Sequence, residues 1–314
     1  MRAQPRYPDF LCIGAQKAGT SWLYHNLRHH PEIWLPPLKE LHYFDTKWPS
    51  DTSRSSQWNK LWSQYARHLL NRAKNPRLAL DSTNRWLIRY LFQPRNDHWY
   101  GSLFPSDPNL VVGEITPKYA ILDKDVVAHI ASLMPRAKII YLLRNPIERS
   151  WSAAAMHLEN RCATHIDRAS DDEIRQALNW IQPISRADYL KHIDLWSLHF
   201  GRENLFIGFF DELAEDPAAL LRRVFDFLSV ESSVDHVPAC VREAINAQSY
   251  EMVPERHLRY LAEFHLEQIR SIHDGLANEN TKRWLDLAIR SVSPEYLSPN
   301  DLKGDPAVAG ASRT

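Results

Sequence analysis

The chain has 314 residues, 44% of them hydrophobic, enough to bury a substantial core, and α/β enzymes of this size often form one domain. Its 38 basic and 38 acidic residues cancel to a formal charge of zero, which removes any bulk attraction to nucleic acid or an anionic membrane and leaves only local clusters to consider. The three cysteines, Cys12, Cys162 and Cys240, are too few and too widely spaced for a disulfide framework, and no CxxC pair points to zinc.

Met1 to Pro8 lack the apolar stretch of a signal peptide, and no run approaches about 18 apolar residues. The expectation is a cytoplasmic protein without a membrane span. Phe10–Ile13 is a short apolar run leading into Gly14, the pattern of a buried parallel strand, and Cys12 within it reads as a buried thiol. Thr20 or Ser21 is placed to cap a helix that carries Trp22, Leu23 and Leu27 on one face. Pro31, Pro36 and Pro37 break residues 31–45 into loop and short extended pieces. Residues 55–92 read as helical, with Trp58, Leu61, Trp62, Tyr65 and later Trp86, Leu87, Tyr90 and Leu91 spaced three and four apart. Leu110–Val112 is a second buried strand and Val126–Met134 a helix. Lys138–Leu143 is the clearest strand, followed by a helix started by Pro146. Ala187–Phe200 reads as a helix, Leu205–Phe210 as a strand and Ala218–Leu228 as a helix. The last 60 or so residues look helical before a Gly/Ala/Pro/Ser tail from about Ser298. Strands alternating with helices imply an α/β fold, a parallel sheet flanked by helices on both faces.

Two loops carry chemistry. Gly14-Ala15-Gln16-Lys17-Ala18-Gly19-Thr20-Ser21 joins a strand to a helix, where backbone N–H groups and the helix dipole stabilise a phosphate-like anion. A nucleotide-triphosphate P-loop places lysine directly after its second glycine. Here that position is Thr20, and the lysine lies inside the loop as Lys17, so the loop is P-loop-like without being a kinase's. In Arg144-Asn145-Pro146-Ile147-Glu148-Arg149-Ser150-Trp151-Ser152, Arg144 leaves the end of a strand, where α/β ligands sit. Ser152 lies about two turns into the next helix, and a guanidinium with a hydroxyl suits a terminal phosphate. An Arg144–Glu148 pair at a helix start would explain the first of these residues equally well.

Together the Lys17-Ala18-Gly19-Thr20-Ser21-Trp22 and Arg144 to Ser152 segments resemble the 5'-phosphosulfate and 3'-phosphate motifs of the sulfotransferases that use 3'-phosphoadenosine 5'-phosphosulfate (PAPS). The nearest likeness is to heparan sulfate N- and 3-O-sulfotransferase domains and single-domain bacterial relatives. The resemblance implies that Lys17, Ala18, Gly19, Thr20, Ser21, Trp22, Arg144 and Ser152 bind the donor, with Lys17 bridging the 5'-phosphate and the leaving oxygen. It implies PAPS as donor, PAP as product, no metal, and an acceptor bearing a hydroxyl or amine. Lys39-Glu40-Leu41-His42-Tyr43-Phe44-Asp45 resembles the family's E-x-H-F-F-D stretch, which makes Glu40 the general base, with His42 and Asp45 shaping its surroundings. In a strand-like stretch Glu40 and His42 point the same way. His42 is the next candidate base, because an unperturbed imidazole titrates near neutral pH.

Gly113–Tyr119 resembles G-E-K-[ST]-P-x-Y, but Ile115 stands where relatives often carry lysine, and Lys118 is not assumed to replace it. Glu114 and Thr116 either line the cleft or buttress the strand. Asn246-Ala247-Gln248-Ser249 resembles a phosphate-clamping loop that here has no basic residue until Arg256. Asp211-Glu212-Leu213 and Pro217 read as core anchoring. The domain expectation is one sulfotransferase domain over 1–297, with 46–98 as a helical insertion on the acceptor side, and a flexible tail over 298–314. Two other readings stand beside this one, a non-catalytic PAP- or carbohydrate-binding relative and a P-loop nucleotide kinase.

Overall fold

The computed structural model describes residues 5–47, 82–181, 184–245 and 253–293. Most of the expected insertion (48–81), the 246–249 loop and the 298–314 tail lie outside the described residues. In chain order the elements are β1 (Phe10–Gly14), α1 (Thr20–Leu27), β2 (Ile33–Trp34), α2 (Phe44–Lys47), α3 (Ser82–Phe92), α4 (Asp97–Ser102), β3 (Val111–Ile115) and α5 (Lys124–Leu133). They continue with β4 (Lys138–Leu143), α6 (Pro146–His157), α7 (Asp171–Ile181), α8 (Tyr189–Phe200), β5 (Leu205–Phe209), α9 (Phe210–Glu215), α10 (Pro217–Leu228), α11 (Glu255–Leu276) and α12 (Glu279–Val292). The chain divides into two compact units, residues 1–144 with 183–248, and 145–182 with 249–314.

The first unit holds a five-stranded sheet in the order β2-β3-β1-β4-β5, parallel throughout. All five residues of β1 are buried, as are Ile139 to Leu143 of β4. Successive strand side chains point to opposite faces, so both faces of the sheet are covered, as the sequence pattern requires. Phe10 pairs with Gly113 on one side and Lys138 on the other. A Cβ at Gly113 would lie 2.2 Å from the Phe10 ring, so the glycine makes room for the aromatic. The Cys12 thiol is fully buried, and burial pushes its pKa to about 12. β3 begins one residue later than the sequence suggests and runs on to Ile115, so Gly113, Glu114 and Ile115 lie inside the strand. Their polar glutamate hid that extension.

Trp86 and Trp99 are core residues, and Tyr43 stacks on Tyr100 while Phe44 and Trp99 meet these rings edge-on or tilted, with centroids 4.9–5.6 Å apart. The tryptophans of α3 and α4 therefore build a thick aromatic core.

The second unit is helical. Asn145 caps α6 by accepting from the Ile147 N–H at 3.0 Å, and Pro146 fills the first turn, whose N–H would have no partner. α11 and α12 form a hairpin, turned by Ala277 at φ 45° and restarted by Asn278, which accepts from the Thr281 N–H. Leu261, Ile269, Ile272 and Trp284 are buried in this unit. Inside it, Ser150 Oγ meets His265 Nε2 at 2.9 Å, and Gln268 Oε1 holds the other ring nitrogen. Among the described residues no helix is long and apolar enough to cross a membrane.

Candidate active site

β1 and α1 are joined by the loop that contains Lys17. Gly19 is the N-cap, at φ 89°, and no side chain caps the helix. Thr20 is thus the first helical residue, and the expectation of a Thr20 or Ser21 cap is corrected. The turn needs a residue without a Cβ, because left-handed backbone disfavours one and because a Cβ here would come within 2.6 Å of Leu213. Leu213 thus closes on the loop, but Asp211, Glu212 and Leu213 are half-buried, so of the segment expected to anchor the core only Pro217 is buried. The first-turn N–H groups of α1 have no intrahelical acceptors and remain available to an anion. Ala18 is buried and Ser21 half-buried. Trp22 is buried too, and its indole donates to the Val241 carbonyl at 2.8 Å.

Arg144 reaches across from the end of β4. Its Nη1 donates to the Lys17 carbonyl at 3.1 Å, its guanidinium lies 4.2 Å from the centre of the Phe210 ring, and its own carbonyl accepts from the Tyr189 hydroxyl. The two motifs, 127 positions apart, are therefore in direct contact. Arg186, in the short turn before α8, donates to Gln16 of the same loop at 2.8 Å. Nothing in its sequence surroundings marked it, because only the chain's return path brings it to residue 16. Ser152 is buried on α6 of the second unit.

The stretch 39–45 is not strand-like. Glu40 and His42 adopt left-handed backbone, at φ 66° and 51°. Their side chains nevertheless meet, His42 Nε2 lying 3.4 Å from Glu40 Oε2. The loop is tied down from outside. The Glu40 N–H donates to the Ile115 carbonyl at 3.1 Å, and Arg95, resting on the Trp99 ring, donates to the carbonyls of Leu41 and His42. Six non-glycine residues among those described have positive φ. Ala163, Ser229 and Ala277 end helical segments. The other three are Lys17, Glu40 and His42, and strain of this kind gathers at functional sites.

Four charges alternate through this loop, and Lys118 from the 117–121 turn adds a fifth. Lys39 pairs with Glu40, Glu40 with His42, His42 Nδ1 with Asp45 at 2.8 Å, and Asp45 with Lys118 at 3.3 Å. Burial alone would raise Glu40, but the hydrogen bond from His42 and the Lys39 charge hold it at about 2. Burial alone would lower His42, but hydrogen bonds to Asp45 and Glu40 raise it to about 9. The imidazole is therefore not unperturbed. It carries its proton at neutral pH, which removes the premise for His42 as an alternative base.

Behind the loop, Glu114 and Thr116 are buried, and Thr116 donates to Glu114 at 3.2 Å. Burial raises Glu114 to about 7, against hydrogen bonds from Tyr119 and Thr116 that lower it. Of the two roles open to these residues, buttressing the strand is the one their burial fits. Ile115 is core, and Lys118 serves Asp45.

Lys17, Arg144 and Glu40 all lie beyond the carboxyl ends of neighbouring strands, where the strand order reverses about β1. This defines an α/β protein with an anion-type loop and a charged loop at the same end of its sheet. A family model described as "Sulfotransferase family" matches residues 8–234, well over half of the chain, and the chain belongs to that family. It is 25% identical over 234 residues to human heparan sulfate glucosamine 3-O-sulfotransferase 6, covering 73% of this chain and 54% of that protein. To the mouse bifunctional heparan sulfate N-deacetylase/N-sulfotransferase 4 it is 26% identical over 241 residues, covering 71% and 22%. The chain thus spans about half or less of the length of these curated relatives. The crystal structure of a sulfotransferase from Alicyclobacillus acidocaldarius shares the fold, with a TM-score of 0.59 and 23% identity over 88% of this chain and 98% of that one.

Proposed function

We propose that this protein transfers a sulfuryl group from PAPS to an acceptor hydroxyl, with a carbohydrate as the acceptor class. The observation that carries this reading is the Arg144–Lys17 contact, which joins the two expected anion-binding motifs at the carboxyl ends of β1 and β4. Lys17 and the α1 N-terminus would take the 5'-phosphosulfate, with Arg186 beside them, and Arg144 would take the 3'-phosphate. The carbohydrate class is supported by the heparan sulfate named in both relatives.

In the reaction the acceptor oxygen forms a bond to sulfur while the bond from sulfur to the 5'-phosphate oxygen breaks. PAP leaves with the electron pair, and charge grows on the oxygen nearest Lys17. Glu40, ionised throughout the neutral range, receives the acceptor proton. Its low pKa makes it a weak base in the ground state. Once sulfur bonds to the hydroxyl, however, the oxygen becomes far more acidic than a carboxylic acid, and transfer to Glu40 runs downhill. His42 and Lys39 fix the carboxylate and keep it charged. Three protein cations serve the donor, so added Mg²⁺ should leave turnover unchanged.

The test is transfer from sulfur-labelled PAPS to heparan-type oligosaccharides, run beside binding of PAP and ATP. PAP binding with label in the saccharide supports the proposal. PAP binding without transfer to any hydroxyl or amine acceptor would point to a binding protein, and preference for ATP would point to a kinase.

A further inference from the structure

At the other end of α1, away from the anion loop, three metal-ligand side chains converge. His25 lies in the last turn of the helix and His29 in the turn just past its end, with their ring centroids 5.4 Å apart. Cys240 comes from the short helical turn Ala239–Arg242, and its Sγ lies 3.8 Å from His29 Nε2. One ligand atom from each of the three fits within 4.8 Å of the others, the single such group among the described residues. His29 is exposed, and the other two are half-exposed.

We propose that His25, His29 and Cys240 bind a zinc-type transition-metal ion. The chemistry selects this class. Two imidazoles and a thiolate are borderline-soft donors that suit Zn²⁺ and its neighbours, and they disfavour Mg²⁺ or Ca²⁺, which demand oxygen. Bonds of about 2.0–2.1 Å to nitrogen and 2.3 Å to sulfur place tetrahedral ligands roughly 3.4–3.6 Å apart. The observed 3.8 Å is close to that separation, and small side-chain rotations bring in His25. A simple thiol–imidazole hydrogen bond would account for Cys240 and His29 but not for the third ligand.

The turn that carries Cys240 is fixed independently of any metal. The Trp22 indole, one turn before His25 on the same helix, donates to the carbonyl of Val241, next to Cys240. The thiol is thus held over the histidines before an ion arrives, which lowers the ordering cost of binding. On binding, the Cys240 thiol gives its proton to solvent and a metal–sulfur bond forms, with no change of oxidation state. The fourth position stays open to water. The ion would clip the C-terminal end of α1 to the 239–242 turn, with His25 about 7.5 Å along the helix from Thr20 and His29 beyond it.

The test uses the full chain, stripped of metal and kept reduced. Zn²⁺ is titrated against a chromogenic chelator, and Co²⁺ serves as a spectroscopic probe. One equivalent should bind, and bound Co²⁺ should show the intense visible bands of four-coordination with a thiolate-to-cobalt charge-transfer band. Cys240→Ser should abolish that band, and His29→Ala should weaken Zn²⁺ binding by at least the 10- to 100-fold that loss of an outer partner costs. Cys162→Ser, which alters the exposed cysteine of the second unit, should change neither. Thermal melts without metal should match across all four proteins, which separates lost ligation from lost folding. Binding no tighter than in a His25/His29/Cys240 triple-alanine variant, or a Co²⁺ spectrum that survives Cys240→Ser, would leave only a surface thiol–imidazole pair and overturn the site.

Discussion

Glu40 is half-buried and Glu114 fully buried, and their environments push the two carboxyls in opposite directions. Glu40 sits between Lys39 and a protonated His42, and its carboxyl is held at about 2. Glu114 lies among hydroxyls, with no cation paired to it among the salt bridges of the described residues, and rises to about 7. Desolvation acts on both, and the sign of the result is decided by whether positive charge accompanies the carboxylate inward. In the proposed reaction the accompanied residue is the one that takes the acceptor proton. The unaccompanied one braces β3, and its protonation changes near neutral pH without access to substrate.

The contrast breaks first at activity. Glu40→Gln should lower kcat about 10²- to 10⁴-fold while leaving PAP affinity nearly unchanged, and Glu114→Gln should leave kcat close to that of the parent. Steady-state rates with PAP titrations decide this, and the reverse ranking would exchange the two roles. Lys17→Ala tests the donor side, where about 10²- to 10³-fold in kcat should be lost in a protein with an unchanged melting profile. Near-normal turnover would move the leaving-group contact elsewhere. Arg144→Ala should weaken PAP about 30-fold, corresponding to roughly 2 kcal/mol, with a smaller loss for adenosine 5'-phosphosulfate, which lacks the 3'-phosphate. Equal losses would show that Arg144 does not read that group.

The smallest effects are in stability. The raised Glu114 lets the unfolded chain release a proton that the fold retains, so its contribution falls as pH rises from 4.5 to about 7. The raised His42 contributes fully below its ordinary 6.5, and that contribution is lost as pH rises through about 9. Urea midpoints against pH should lose the lower slope in Glu114→Gln and the upper slope in His42→Gln. If neither slope changes, the opposed environments are not felt by the fold.

Lys138–Leu143 and the run at Phe10 were legible because a strand buried on both faces must be continuously apolar, and few other elements look that way. The anion loop was legible because its glycine and lysine spacing serves backbone geometry directly. The 39–45 stretch gave its charged residues but not its conformation. Alternation suggested a strand, whereas the juxtaposition of Glu40 and His42 comes from left-handed backbone held by Ile115 and Arg95, contacts made by distant segments. Arg186 and the Cys240–His29 approach were invisible for the same reason, the latter joining residues 211 positions apart. Glu114 concealed the length of β3, since a buried carboxyl violates the apolar pattern by which a strand is recognised.

The sheet order has a consequence for the protein as it is made. β1 is the central strand and the first of the five to leave the ribosome, but its partners β3 and β4 begin at residues 111 and 138. At about 5–20 residues per second, the nascent Phe-Leu-Cys-Ile segment waits roughly 5–20 s for the first of them. During that interval an apolar strand, buried throughout in the finished fold, has neither of its sheet neighbours to pair with. Yield in a cell should therefore depend on chaperones that shield this segment early, more than on the stability of the finished fold.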